Sequence, residues 1–196
     1  MTMKISQAYF TPEEYITLER KAIPDAETVR SEYMNGKIIG KSSSNWAHNL
    51  ITGNIVAGLY TRLGNSGCFI FAHEMRVSIP SANAYFYPDV GVVCEEPRFE
   101  DDVFDILLNP IVVVEVLSPS TEAYDRGDKF AHYRQLQSLQ EYILVSQDKV
   151  NIDHYVRHAS QWILTDFQKL EQYLPLTSIQ CELPLQDIYE NAPFPE

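Results

Sequence analysis

Residues 111–117 read IVVVEVL, and the chain continues through SPST at 118–121, TEAYDRGDKFAHYRQL at 121–136 and EYILVS at 141–146. The first stretch is a nearly continuous apolar run, which predicts a central strand covered on both faces. SPST breaks that strand. The stretch from Thr121 then brings Phe130, Tyr133 and Leu136 inward at three-residue spacing, as a helix lying on a sheet would. EYILVS predicts a further buried strand. Glu115 stands inside the first strand, with three valines before it and Val116-Leu117 after it.

Upstream of this segment, CFIFA, MRVSIP and YFYPDVGVVC are rich in β-branched and aromatic residues and predict three strands. A helix over 46–63 is expected before them, because Leu50, Ile51, Ile55, Leu59 and Leu63 recur every three or four positions and Gly64 follows. RSEYMNGKIIGKSS predicts a hairpin turning on Asn35-Gly36, with Glu32 on its first strand. Thr11-Pro12-Glu13-Glu14 has the form of a helix start, Thr11 capping and Glu14 closing a capping box. Towards the other end, KVNIDHYVRH and QWILTDF predict a hairpin around Ala159-Ser160, and LPLQDIY a short final helix. A chain of 196 residues without repeats or a linker is expected to form one domain, residues 1–196.

Composition narrows the function classes. Apolar residues make up 45% and charged residues 21%, as in folded proteins and unlike disordered ones. No stretch approaches the roughly 20 apolar residues that span a bilayer, and the N-terminal segment lacks a signal-peptide core, so no membrane partner is expected. Cys68, Cys94 and Cys181 are odd in number and widely spaced, without CxxC, and suggest neither a disulfide framework nor a zinc site. A cytoplasmic location follows as the expectation. The formal net charge of −12 argues against coating duplex nucleic acid through a broad basic face, although Glu95, Glu96, Glu100, Asp101, Asp102 and Asp105 concentrate part of it in one segment.

An ionised carboxylate buried in an apolar strand costs several kcal/mol, so Glu115 calls for a cation, a donor network or a proton. Asp89 follows Pro88 at the start of another apolar strand, and two neighbouring strands could bring the two acids together. Hard oxygen ligands of this kind suit Mg²⁺, which takes one or two carboxylates and keeps several waters. Taken alone, Asp89 also fits a solvated or capping role at a strand end. Lys129 could steady charge on a phosphate, or form an ordinary exposed pair with Asp125 four residues earlier.

Together, Pro88-Asp89, then Glu115-Val116-Leu117, then Asp125 to Lys129 resemble the PD-(D/E)XK nuclease motif. VEVLSPSTEAYDRGDKFAHYRQLQSLQEYILVSQD is similar to the Uma-type, restriction-endonuclease-like branch of that superfamily, and the resemblance extends from TPEEYITLE to LPLQDIY. It implies an α/β fold, a restriction-endonuclease-like central mixed β-sheet flanked by helices, with a C-terminal β-hairpin. It also implies Mg²⁺-dependent hydrolysis of phosphodiester bonds in DNA, with Mn²⁺ as an alternative ion and Asp89 and Glu115 as metal ligands. One position departs from the motif: Leu117 stands where its lysine is expected. The resemblance places that role on Lys129, from the following helix, and adds Glu32 as a further catalytic acid. His48, Ser118 and Ser120 are the candidate substrate-binding residues, each with a capping, turn or hydrogen-bonding role as its alternative. Thr121 could serve likewise, and Arg126 and Arg134 could contact phosphates or merely solvate a helix face. Nuclease analogy also admits a homodimer. The rival reading is a non-cleaving module that keeps the fold and binds DNA or protein partners.

Overall fold

The apolar run at 111–117 forms the middle of a six-stranded sheet in a computed structural model that describes residues 9–22, 30–40 and 44–194. In chain order the elements are α1 (Pro12–Ala22), β1 (Ser31–Met34), β2 (Lys37–Gly40), α2 (Trp46–Leu63), β3 (Phe69–Ala72), β4 (Arg76–Ile79), β5 (Ala84–Phe86) and β6 (Val90–Val93). There follow β7 (Ile106–Leu107), β8 (Val112–Leu117), a composite helix α3 over 122–133, β9 (Glu141–Ser146), β10 (Ile152–His158), β11 (Gln161–Phe167), β12 (Tyr173–Leu176), β13 (Cys181–Pro184) and α4 (Leu185–Ile188).

The six-stranded sheet has the order β11-β10-β9-β8-β6-β3 and is mixed: β8 and β9 are parallel, as the intervening α3 requires, and the other pairs are antiparallel. A five-stranded sheet, β2-β1-β5-β4-β7, packs beside it, and β12 pairs with β13. Side-chain alternation along β8 explains its unbroken apolar character. Val112, Val114 and Val116 pack with Ile51, Ile55 and Leu59 of α2, whereas Val113 and Leu117 pack with Phe86 of the second sheet and Tyr133 of α3. Glu115 shares the parity of Val113 and Leu117, so its carboxylate enters the layer between the sheets.

Local expectations hold where local chemistry decides them. At the start of α1, Thr11 N–H donates to Glu14 Oε2 at 2.8 Å and Glu14 N–H to Thr11 Oγ1 at 3.2 Å, the reciprocal capping box. Asn35 (φ 50°) and Gly36 (φ 88°) make the hairpin turn, and Ala159 (φ 55°) makes the later one. Elsewhere the structure corrects the sequence reading. YFYPDVGVVC is two strands rather than one, because the chain leaves β5 in one sheet at Tyr87-Pro88-Asp89 and enters β6 in the other; Pro88 has no N–H to continue a ladder. The pair β12–β13 was not foreseen and lies beyond the expected β10–β11 hairpin.

The cysteine reading is also corrected. Cys68 and Cys94 form a disulfide, and Cys181 is the free cysteine. Spacing along the chain gave no hint of this, because the antiparallel β3–β6 register pairs Phe69 with Val93 and so sets the two cysteines face to face one step beyond it. The argument from cysteines to a cytoplasmic setting therefore falls away. No helix among the described residues is long and apolar enough to cross a membrane.

Candidate active site

The strand register itself brings the two leading carboxylates together. Val90 pairs with Val114 across β6 and β8, and one step further in the same antiparallel register Asp89 comes opposite Glu115. Residues opposed in this way project to the same face. Asp89 also closes the ladder with its side chain, Oδ2 accepting the Val116 N–H at 2.8 Å. Both acids are almost wholly buried, at 3% and 2% exposure.

Lys129 reaches them from α3. Its Nζ lies 2.9 Å from Glu115 Oε1, 2.9 Å from Glu32 Oε1 and 3.6 Å from Asp125 Oδ1. Glu32, on β1 of the other sheet, is fixed by the Tyr87 N–H, which donates to its Oε1 at 3.1 Å. The middle of α3, Asp125–Lys129, is a turn of π-helix. This wider turn, a feature frequent at functional sites, turns Tyr124, Asp125 and Lys129 all toward the cavity. Phe130 and Tyr133 meanwhile keep their places in the core. On the opposite side His48 Nε2 stands 3.2 Å from Asp89 Oδ1, and the His48 N–H is held by the Asn45 side chain at 2.9 Å as the cap of α2.

These groups line a cavity of about 260 Å³, with the more exposed neutral donors Asn45, Ser118, Ser120 and Thr121 at its rim and Gln147 buried within it. Ser118 Oγ is 3.0 Å from Ser120 Oγ and 3.1 Å from Thr121 Oγ1, so the SPST turn presents its hydroxyls as one linked group. The rim is thus suited to the oxygens of a small anion, while the floor is crowded with carboxyl groups. Four buried carboxylates, Glu32, Asp89, Glu115 and Asp125, face the single ammonium of Lys129.

Burial is the largest influence on Glu115 and pushes its carboxyl well above the usual range; Lys129 opposes this, and Asp89, Asp125 and Glu32 add to it. Asp125 is pushed up to about 6, again by burial, against the pull of Lys129. For Lys129 burial disfavours the charge, but Glu115, Glu32 and Asp125 outweigh it and hold the ammonium well above the ordinary lysine range. The site holds four buried carboxyl groups against one ammonium, so they cannot all be ionised without a further cation.

That imbalance is the test of whether a divalent ion fits. Among the described residues, no three His, Cys, Asp or Glu side chains converge as a ready-made ligand cluster. Mg²⁺ does not require one, since it binds through one or two carboxylates and retains waters. Asp89 and Glu115, hard oxygen donors opposed on adjacent strands beside a cavity with room for water, fit that requirement.

Every residue singled out from the sequence as catalytic or substrate-binding lines this cavity: Glu32, His48, Asp89, Glu115, Ser118, Ser120 and Lys129. Thr121 joins them. Arg126 does not, being engaged with Glu122 at 2.8 Å and with Asp153; nor does Arg134 line it. Asp125 was read only as an exposed partner of Lys129 and is instead a buried member of the site. Gln147 and Tyr124 were missed as well. Gln147 had a usable signal, because it stands just past the end of β9, which runs parallel to β8 and ends level with Leu117.

A family described as "Uma2: Putative restriction endonuclease" matches residues 12–186. Two proteins of Synechocystis sp. strain PCC 6803 are similar to the chain. Uncharacterized protein sll1609 is 37% identical over 157 residues, covering 80% of this chain and 86% of its own length. Uncharacterized protein slr1290 is 33% identical over 185 residues, covering 94% and 93%. The crystal structure of a "putative nuclease belonging to DUF820" from Anabaena variabilis superposes with a TM-score of 0.74 at 21% identity, covering 92% of this chain and 97% of that one. The likeness extends to the mixed sheets, the flanking helices and the C-terminal strand pair. Matched over residues 12–186, the chain belongs to the Uma2 family, and it has a nuclease-like fold.

Proposed function

We propose that this protein is a metal-dependent endonuclease that hydrolyses phosphodiester bonds in DNA, using Mg²⁺ or Mn²⁺ held by Asp89 and Glu115. The observation that carries this reading is the surplus of buried carboxylates over the single Lys129 ammonium, set beneath a rim of neutral donors. When bound, the divalent ion supplies Lewis acidity at a phosphoryl oxygen and lowers the pKa of its water. The residues of the chain do the rest. Ser118 and Ser120 hydrogen-bond phosphate oxygens at the rim. Lys129, held by Glu32 and Asp125, orients the attacking water and offsets negative charge developing on the phosphate. The Val116 N–H fixes the Asp89 carboxylate through Oδ2, with His48 Nε2 3.2 Å from its Oδ1, so that its orientation is set before substrate arrives. Leu117 needs no lysine of its own, because the Nζ of Lys129 already lies beside Glu115.

A second reading, a nuclease-fold module that binds DNA or a protein without cleaving, is favoured by the net charge of −12. The two are separated by incubating the protein with supercoiled, linear and single-stranded DNA in Mg²⁺ or Mn²⁺, alongside Glu115→Gln and Lys129→Met. Cleavage by the wild type, reduced by about 10²-fold or more in either variant, is the expected result. Cleavage that persists unchanged in both variants refutes the assigned site. Calorimetric titration with Mg²⁺ and Mn²⁺ reads the metal directly: the wild type binds, and Asp89→Ala loses binding whether or not a DNA substrate has been found.

A further inference from the structure

Most arginines of this chain engage its own carboxylates. Arg20 pairs with Asp101 at 2.8 Å and Asp105 at 2.7 Å, Arg62 with Asp187 at 2.9 Å, Arg76 with Asp105 at 2.5 Å, Arg30 with Glu74, and Arg126 with Glu122 and Asp153. Lys129 is the only lysine or arginine among the described residues that line the site cavity, and its Nζ is already 2.9 Å from Glu32 and from Glu115. Duplex DNA is a stiff rod with two rows of phosphates, and proteins hold it by neutralising several of these at once with Lys and Arg. On a chain of net charge −12, the described lining of the cavity offers no such set.

The cavity is also small and recessed. Its volume of about 260 Å³ lies at the low end for a pocket that takes one small ligand, and Asp89 and Glu115 are almost wholly buried in it. Enzymes whose reacting groups lie in a pocket take a nucleotide that is single-stranded or has been extruded from its stack. Beside the mouth stands Trp46. It directly follows Ser44 and Asn45, both of which line the cavity, and it is 73% exposed although the next two residues of its helix, Ala47 and His48, are buried. An indole left in water next to a polar pocket has the form of a stacking platform, which holds any unpaired base by its π-face and needs no charge to do so.

We infer that the site takes single-stranded DNA, one phosphodiester of which enters the cavity while a neighbouring base stacks on Trp46. The inference rests on the nuclease reading above and narrows its substrate. A single strand bends at each phosphate, so one linkage can descend to Asp89 and Glu115 without carrying a complementary strand into the rim. Ser118, Ser120 and Thr121 meet the phosphate oxygens with hydroxyls in place of cations. Stacking supplies the affinity that phosphate neutralisation gives a duplex binder, roughly 5- to 150-fold for each base held in this way.

One labelled oligonucleotide, presented single-stranded and as its duplex, tests this with the full chain, by fluorescence anisotropy in Ca²⁺ for binding and by initial rates in Mg²⁺ for cleavage. The expected result is a preference of about tenfold or more for the single strand in both. Trp46→Ala should weaken single-strand binding and raise KM by roughly 5- to 150-fold, with kcat within about twofold of wild type. Trp46→Phe should restore most of the loss, which a merely structural role of the indole does not predict. Oligo-dT should quench the tryptophan fluorescence of the wild type but not that of Trp46→Phe, which retains Trp162. Single-strand binding with this quench, but no cleavage of any DNA, supports the inference and overturns the hydrolytic reading. A duplex bound and cleaved as well as the single strand overturns the inference and leaves the nuclease reading standing. Binding of neither form, or a Trp46→Ala variant indistinguishable from wild type, also overturns it.

Discussion

Replacing Lys129 by methionine removes the one cation from the floor of the site while keeping a side chain of similar length. Its Nζ lies 2.9 Å from both Glu32 and Glu115 and 3.6 Å from Asp125, and the side chain is 4% exposed. The variant leaves three buried carboxylates without their counter-ion. Removing one partner of a buried pair costs about 3–5 kcal/mol, and three acids share this ammonium, so the upper part of that range is expected at pH 8 without metal. For a chain of this size that is a fall in Tm of roughly 8–20 °C. The loss should shrink toward pH 5, because Glu115 and Asp125, already raised by burial, take up protons and cease to repel one another. Lys129→Met combined with Glu115→Gln should recover about 1–3 kcal/mol of the deficit, the coupling expected of groups in direct contact. Chemical denaturation of the four proteins in chelator at pH 8 and pH 5 gives all of these quantities. A Lys129→Met variant within about 0.5 kcal/mol of wild type at both pH values refutes the reasoning, since Lys129 would then not balance the buried acids.

The remaining predictions concern separate parts of the molecule. Asp125, with its folded pKa raised to about 6, binds its proton more tightly folded than unfolded; its contribution is complete below about pH 4 and is lost as the pH rises through about 6. Asp125→Asn should therefore flatten the apo stability profile between pH 4 and 6 by on the order of 2 kcal/mol, read from denaturation midpoints. Gly91→Ala should destabilise by about 1–3 kcal/mol, because its Cβ would fall 2.1 Å from Cζ of the cross-strand Phe71 ring; Phe71→Leu in the same chain should return most of the loss. Glu141→Ala should cost about 2–4 kcal/mol, since this fully buried carboxylate accepts the Ser178 N–H at 2.6 Å and holds His154 Nε2 at 2.5 Å; a near-neutral result in thermal melts would show that the contact is not made. Thiol titration of the unreduced, denatured protein should find Cys181 alone, and reduction should lower stability by about 3 kcal/mol, given the 26-residue separation of Cys68 and Cys94.

The sequence by itself determined the elements whose signals are local. The alternation-free run at 111–117, the Asn35-Gly36 turn, the Thr11–Glu14 capping box and the helical spacing over 46–63 depend on neighbours within a few residues, and each appears where expected. The motif residues were legible for a related reason: an acid inside an apolar strand is anomalous wherever that strand sits, so Glu115 drew attention before any partner was known. Tertiary structure decided what those residues meet. That Asp89 opposes Glu115 follows from the β6–β8 register, and that Lys129 reaches both Glu115 and Glu32 follows from a π-turn and from the packing of one sheet on another. No spacing along the chain encodes these. The Cys68–Cys94 bond, the burial of Asp125 and the division of YFYPDVGVVC between two sheets belong to the same class. Each joins segments distant in sequence, and hydrogen-bond register and core packing, rather than local propensity, set such contacts.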